Sequence, residues 1–174
     1  MLKAEYDAIL PKDSFFVVNK GGMQSVLTEN LKQILPFMEA DLWISGNSIT
    51  ATMKDHTLRK YNLQGELIDD FLISNVDRLL YDTDEIRYTT AKNYDDEGNL
   101  TGETAEAEPT PYQKTANCKK YEADIGWYGL MSPSGKVITP PRYCDITAIG
   151  YDLYLCKTDD IRGEVLNGKG VRIR

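Results

Sequence analysis

Degenerate copies of one stretch recur along this chain, and a chain built from copies must bury its core between copies, since no single one can enclose a core alone. The best-formed copy is Trp127 to Ile146, W-Y-G-L-M-S-P-S-G-K-V-I-T-P-P-R-Y-C-D-I. Sliding the chain against itself places Gly65 on Gly135. Leu67, Ile68, Val76, Tyr81 and Asp82 then fall on Val137, Ile138, Ile146, Tyr151 and Asp152. Farther back, Ile34, Pro36, Asp41 and Gly46 fall on Ile138, Pro140, Asp145 and Gly150, a spacing of three units of about 35 residues.

Within each copy the local pattern is that of strands and tight turns. In the first unit, which opens at Tyr6-Asp7-Ala8-Ile9, two apolar runs between Asp13 and Leu27 flank Asn19-Lys20-Gly21-Gly22. Glycine can supply the positive φ of a hairpin there. Thr28 to Met38 also carries helical spacing at Leu31, Leu35 and Met38, but Pro36 would interrupt a helix. In the second unit Ile49, Ala51 and Met53 alternate with polar residues, which predicts a strand with one buried face, and Lys54-Asp55-His56 makes the turn after it. Glycines 65, 135 and 168 follow Gln64, Ser134 and Asn167 and read as turns. Pro36 and Pro140 are expected to end strands, because proline has no N–H for a ladder. Tyr6, Phe37, Phe71 and Tyr143 are the expected aromatic wedges between units. The prediction is a single all-β domain over 1–174. It comprises about four antiparallel β-hairpin units, either an open stack or a closed propeller-like ring.

The recurring stretch resembles the WG repeat of bacterial proteins, whose usual form runs W-G-x-x-x-x-x-G-K-x-x-x-P-x-Y-D-x-I. Here Trp127-Tyr128-Gly129 stands where that form has W-G, and the other units have no tryptophan at the equivalent place. The resemblance implies a binding or scaffolding role and brings no shared catalytic residues.

The spacing between the third and fourth copies is about 70 residues, twice a unit, so the third unit carries an insertion. Residues 93–120 are polar, with few apolar positions and no sustained period. They read as an inserted polar hairpin or loop whose arms are Ile86 to Lys92 and Tyr121 to Trp127. A long excursion from a compact domain is a candidate for function.

Net charge decides the class of partner. At −7, the chain is poorly suited to nucleic acid or anionic membrane and well suited to a basic protein. No apolar run approaches a membrane span, and the N-terminal M-L-K-A-E-Y-D lacks the apolar core of a secretory signal, so a cytoplasmic location is expected. Cys118, Cys144 and Cys156 are odd in number and show no C-x-x-C spacing, which points to reduced structural thiols.

Candidates for chemistry are few. His56 is the sole histidine and reads as an exposed turn residue beside Asp55. Asp95, Glu97, Asn99 and Glu106 occupy positions one, three, five and twelve of a calcium loop, but Leu100 stands where the sixth position needs glycine. Asn167-Gly168-Lys169-Gly170 lacks the spacing of a phosphate loop and reads as a hairpin turn. No catalytic, cofactor or metal site is therefore assigned. The expected function is a non-enzymatic protein-binding module, of the inhibitor or immunity type, that neutralises a basic partner such as a toxin. Asp95, Asp96, Glu97, Glu103, Glu106, Glu108 and Tyr112 are its candidate binding residues. The alternatives are an enzyme or ligand-binding protein with a cleft near Tyr81, Tyr151 and Asp152, or a structural segment of a longer repeat array.

Overall fold

The computed structural model describes residues 5–173; Met1 to Ala4, and with them most of the N-terminal stretch considered for a signal, lie outside the described residues. Five antiparallel sheets form among the described residues, four of them following one another along the chain and one, of two strands, inserted in the third. The first contains β1 (Ala8–Lys12), β2 (Phe15–Lys20), β3 (Met23–Thr28) and β4 (Gln33–Met38), in sequence order. The second repeats that meander with β5 (Ala40–Ser45), β6 (Ser48–Met53), β7 (Leu58–Asn62) and β8 (Leu67–Leu72). The third is formed by β9 (Asn75–Asp82) with two later strands, because the hairpin of β10 (Tyr88–Tyr94) and β11 (Leu100–Ala107) intervenes. Its remaining strands are β12 (Gln113–Glu122) and β13 (Tyr128–Met131), in the order β13-β12-β9. The fourth is β14 (Asp145–Gly150), β15 (Leu153–Lys157) and β16 (Gly163–Asn167).

One turn is built once in each of the four units, and it is the physical content of the repeat; the tip of the β10–β11 hairpin uses it again, with Asp95 accepting the Asn99 N–H and Gly98 left-handed. The side-chain oxygens of Thr28, Asn62, Ser132 and Asn167 each accept the backbone N–H four residues on, at 3.1, 2.8, 3.0 and 3.0 Å. The fourth residue of each turn is left-handed: Leu31, Gly65, Gly135 and Gly170 have φ of 62°, 88°, 89° and 74°. Each turn also returns the chain to the same partner, giving the pairs Leu27 with Gln33, Tyr61 with Leu67, Met131 with Val137 and Leu166 with Arg172. In the last copy the left-handed glycine is Gly170, not the Gly168 expected from the sequence; N-G-K-G offers two glycines, and the side-chain bond from Asn167 selects the second.

Residues 28–38 are not helical. They form this turn and β4, and Pro36 lies inside the strand, not at its end. Between the Val26–Leu35 and Gln24–Met38 pairs β4 spends one residue more than β3, so Pro36 sits in a bulge of an edge strand, where a missing N–H costs no ladder bond. The same bulge recurs between Leu58–Leu72 and Lys60–Asp69 in the second sheet.

The core lies between sheets. Val17, Val26 and Leu35 pack on Leu42, Ile44, Ile49 and Ala51 of the second sheet. Leu58 packs with Tyr121, Ala123 and Met131 of the third. Leu79, Cys118 and Leu130 pack with Ile146, Tyr154, Cys156 and Leu166 of the fourth. Among the described residues no cluster joins the first sheet to the last, and the four units form an open stack. The wedges serve these seams to different depths. Tyr143 is fully buried, whereas Tyr6 and Phe37 stack at 6.3 Å and Phe71 meets Tyr121 edge-on at 5.9 Å while half-exposed. Gly129 of the best copy is explained by close approach, since a Cβ there would lie 2.5 Å from the Tyr121 ring.

Candidate functional site

The insertion is ordered, and it divides in two. Gln113 to Lys120 belongs to β12, with Ala116 and Cys118 buried under the fourth sheet, so this third of it is core. The expected pairing of Ile86–Lys92 with Tyr121–Trp127 does not form: β10 pairs with β11, and Tyr121 pairs with Val76 and Gly129. Long-range pairing with β9 ordered a segment whose buried residues are too small to show in a local hydrophobic count.

What remains is the β10–β11 ribbon, which leaves the third sheet at Asp82 and Gln113. Its base is tied at several points. Gln113 Nε2 donates to Asp82 at 2.8 Å, and Thr83 donates to the Tyr112 carbonyl from N and Oγ1 at 2.9 and 2.7 Å. Lys114 meets Glu85 at 2.8 Å, which lowers the Glu85 pKa and raises that of Lys114. The Arg87 guanidinium lies 3.3 Å over the Tyr112 ring, and the Glu108 N–H donates to the Arg87 carbonyl at 2.8 Å. An exposed cation–π contact of this kind contributes about 0.5–1 kcal/mol. Tyr112 is thus a fastener at the base, set apart from the tip carboxylates by the length of the ribbon, roughly 25 Å at about 3.4 Å per residue.

Beyond the base both faces of the ribbon are open to solvent. Tyr88 pairs with Ala107, Thr90 with Ala105, Lys92 with Glu103 and Tyr94 with Leu100, and these side chains share one face. Tyr88, Tyr94 and Leu100 are 64%, 60% and 53% exposed there. Glu106 points to the other face, paired with Thr89. Asp95, Asp96 and Glu97 make the tip. The Asp95 carboxylate accepts the amides of Glu97 at 3.0 Å and Asn99 at 2.7 Å and the Asn99 side chain at 3.2 Å, and these bonds lower its pKa. Asp95 therefore shapes the turn, while Asp96, Glu97, Glu103, Glu106 and Glu108 are free to face a partner. The calcium-loop spacing is likewise used otherwise: Asp95 is at the tip and Glu106 far along β11, and among the described residues no group of three or more His, Cys, Asp or Glu is arranged around a metal position.

Two further places between units gather polar side chains. Tyr151 and Asp152, at the β14–β15 turn, latch onto a bulge in β12. Asn117 N–H donates to the Tyr151 carbonyl at 2.7 Å and Asn117 Nδ2 to Asp152 at 2.8 Å. The Tyr154 hydroxyl accepts the Cys118 amide at 2.6 Å and donates to the Tyr151 carbonyl at 3.2 Å. The polar groups there are consumed in joining units three and four. His56 is not the exposed turn residue expected. At φ 63° its ring stacks on Trp127 with centroids 3.6 Å apart and planes 11° from parallel, and Nδ1 stands 3.5 Å from Asp124. It lines a cleft of about 240 Å³ with Gly22, Glu39, Asp41, Lys54 and Asp124. Nothing local to Lys54-Asp55-His56 announces Trp127, because the stack exists only once the third unit docks on the second.

All three cysteines are free, and burial raises the thiol pKa of Cys118 and takes that of Cys156 up to about 12. No described helix is long and apolar enough to cross a membrane.

The fold and the site define an all-β stack of hairpin sheets carrying one projecting acidic ribbon. Neither a family model nor a curated protein matches the chain. Among solved structures it is similar to the computationally designed Ika8 protein, at 16% identity over 96% of this chain and 60% of that one, with a TM-score of 0.29. It is also similar to AztD of Citrobacter koseri, at 11% identity over 97% and 57%, with a TM-score of 0.26. The chain spans less than two thirds of either.

Proposed function

We propose that this chain is a non-enzymatic protein-binding module of the inhibitor or immunity type, acting in the cytoplasm, that captures a basic partner on the β10–β11 ribbon. The observation that carries the reading is the ribbon itself. It packs neither face on the stack, it presents Tyr88, Tyr94 and Leu100 to solvent, and it sets Asp96, Glu97, Glu103, Glu106 and Glu108 against the single basic side chain Lys92. Exposed aromatics on a ribbon whose charges are acidic but for Lys92 suit an interface in which apolar contact holds and electrostatics steers. The net charge of −7 extends the steering field beyond the ribbon. The four-fold turn is read as a degenerate WG-type repeat, a scaffold for that surface.

Excision tests the reading. Arg87 and Glu108 are already hydrogen-bonded across the ribbon's base, so residues 88–107 can be replaced by a short glycine linker without disturbing the third sheet. The cut must not extend to 116, because Ala116 is core. A tagged chain is expected to retain basic proteins from a lysate of its source and release them as salt rises, and the excised chain to lose them. Equal retention by both would sink the proposal.

A further inference from the structure

We infer that the β11 edge of the ribbon takes up an extended basic segment of the partner as an added strand; this rests on the partner-binding reading above and specifies its mode. Each strand of an isolated two-stranded ribbon has one neighbour and one free edge, and an edge of unpaired N–H and C=O groups is a template for another strand. A lone hairpin is marginal in water, and a third strand completes the smallest sheet that stands by itself.

The two edges differ in chemistry. β10 carries Lys92 and is preceded by Arg87, and a lysine on an edge strand is the usual guard against added strands. β11, L-T-G-E-T-A-E-A, has no lysine, arginine or proline along its length. Its charges are Glu103 on one face and Glu106 on the other, with Glu108 just beyond. Cross-strand pairs reward opposite charge and penalise like charge. A segment with Lys or Arg on both faces therefore suits β11 and is repelled from β10. A second copy of β11 would crowd the same carboxylates into one ladder and is disfavoured. Tyr88 and Tyr94 lie on the face shared with Glu103 but on β10, about 9–10 Å from the added strand, and stay open to the rest of the partner.

The probe is a synthetic peptide in which pairs of Lys alternate with pairs of Val, so that a strand of it carries Lys on both faces, compared with a peptide of equal charge in which a central Val is replaced by Pro. Binding to the full chain is read by fluorescence anisotropy, and hydrogen exchange of the amides of 100–107 is followed in parallel. The expected result is slowed exchange along β11 and affinity about tenfold weaker for the proline peptide, because proline removes a ladder donor and breaks the strand. Glu103→Gln with Glu106→Gln should weaken the Lys-Val peptide at low salt, and Lys92→Gln should not. Equal affinity for the two peptides without protection of β11 overturns strand addition and leaves an acidic ribbon that binds by charge alone. Binding of neither peptide overturns both readings.

Discussion

The glycines of two equivalent turns offer a controlled test of how the units are joined. Gly65 and Gly135 have the same conformation, with φ of 88° and 89°, and the same hydrogen-bonded turn around them. Their surroundings differ. A Cβ on Gly135 meets nothing within 4 Å, whereas one on Gly65 would run into the carbonyl of Ile34, in β4 of the first sheet. Replacing either by alanine places an L-residue in the left-handed region at a cost of about 1–2 kcal/mol. Loss of unfolded-chain entropy offsets about 0.4–1 kcal/mol of that. Gly135→Ala should therefore lose about 1 kcal/mol. Gly65→Ala must also push β4 away from the turn, an overpacking cost of about 1–3 kcal/mol, for a total near 2–4 kcal/mol. Urea titration at constant m measures the difference, which corresponds to a gap in Tm of several degrees at about 2–4 °C per kcal/mol. Losses equal to within about 0.5 kcal/mol would show that the Gly65 turn does not abut the first unit as described.

The remaining expectations concern the same framework. Leu31, left-handed at φ 62° and 41% exposed, is the one turn of the four without glycine, so Leu31→Gly should stabilise by about 0.5–1 kcal/mol in the same titration; destabilisation would refute the strain. Tyr154→Phe leaves the buried Cys118 amide without its acceptor and should cost about 1–3 kcal/mol by thermal melt, against little change for Tyr151→Phe, whose ring is exposed. Burial raises Cys156 and Tyr143 from ordinary values of 9.0 and 10.0 up to about 12 each. Both stay protonated in the fold after the unfolded chain has lost its proton. Their stabilising effect is whole below pH 9 and declines from pH 9 to 12 by up to about 1.4 kcal/mol per pH unit for each group. Urea midpoints that stay flat from pH 9 to 11 would contradict their burial.

The sequence by itself determined the unit. A side-chain oxygen that can accept its own chain's amide four residues later, a residue able to turn left-handed, and a return to a fixed partner are all local, and they are legible at Asn62-Leu63-Gln64-Gly65-Glu66 and at Ser132-Pro133-Ser134-Gly135-Lys136 without tertiary contacts. The alternation of Ala40, Leu42 and Ile44 in β5 is legible for the same reason, since a strand's two faces are written two residues apart. The candidate carboxylates were also visible as composition. Asp95-Asp96-Glu97-Gly98-Asn99 carries the same local turn, which commits Asp95 by a rule the sequence already contains. Only the tertiary structure assigned Tyr112 to Arg87. It also drew Ala116 and Cys118 into the core and set His56 on Trp127. In the last three cases the partner lies in another strand, turn or unit, and a contact across a docked interface leaves no periodic trace in either segment. The openness of the stack belongs to the same class, because a ring and an arc share every local turn and differ only in whether the last sheet meets the first.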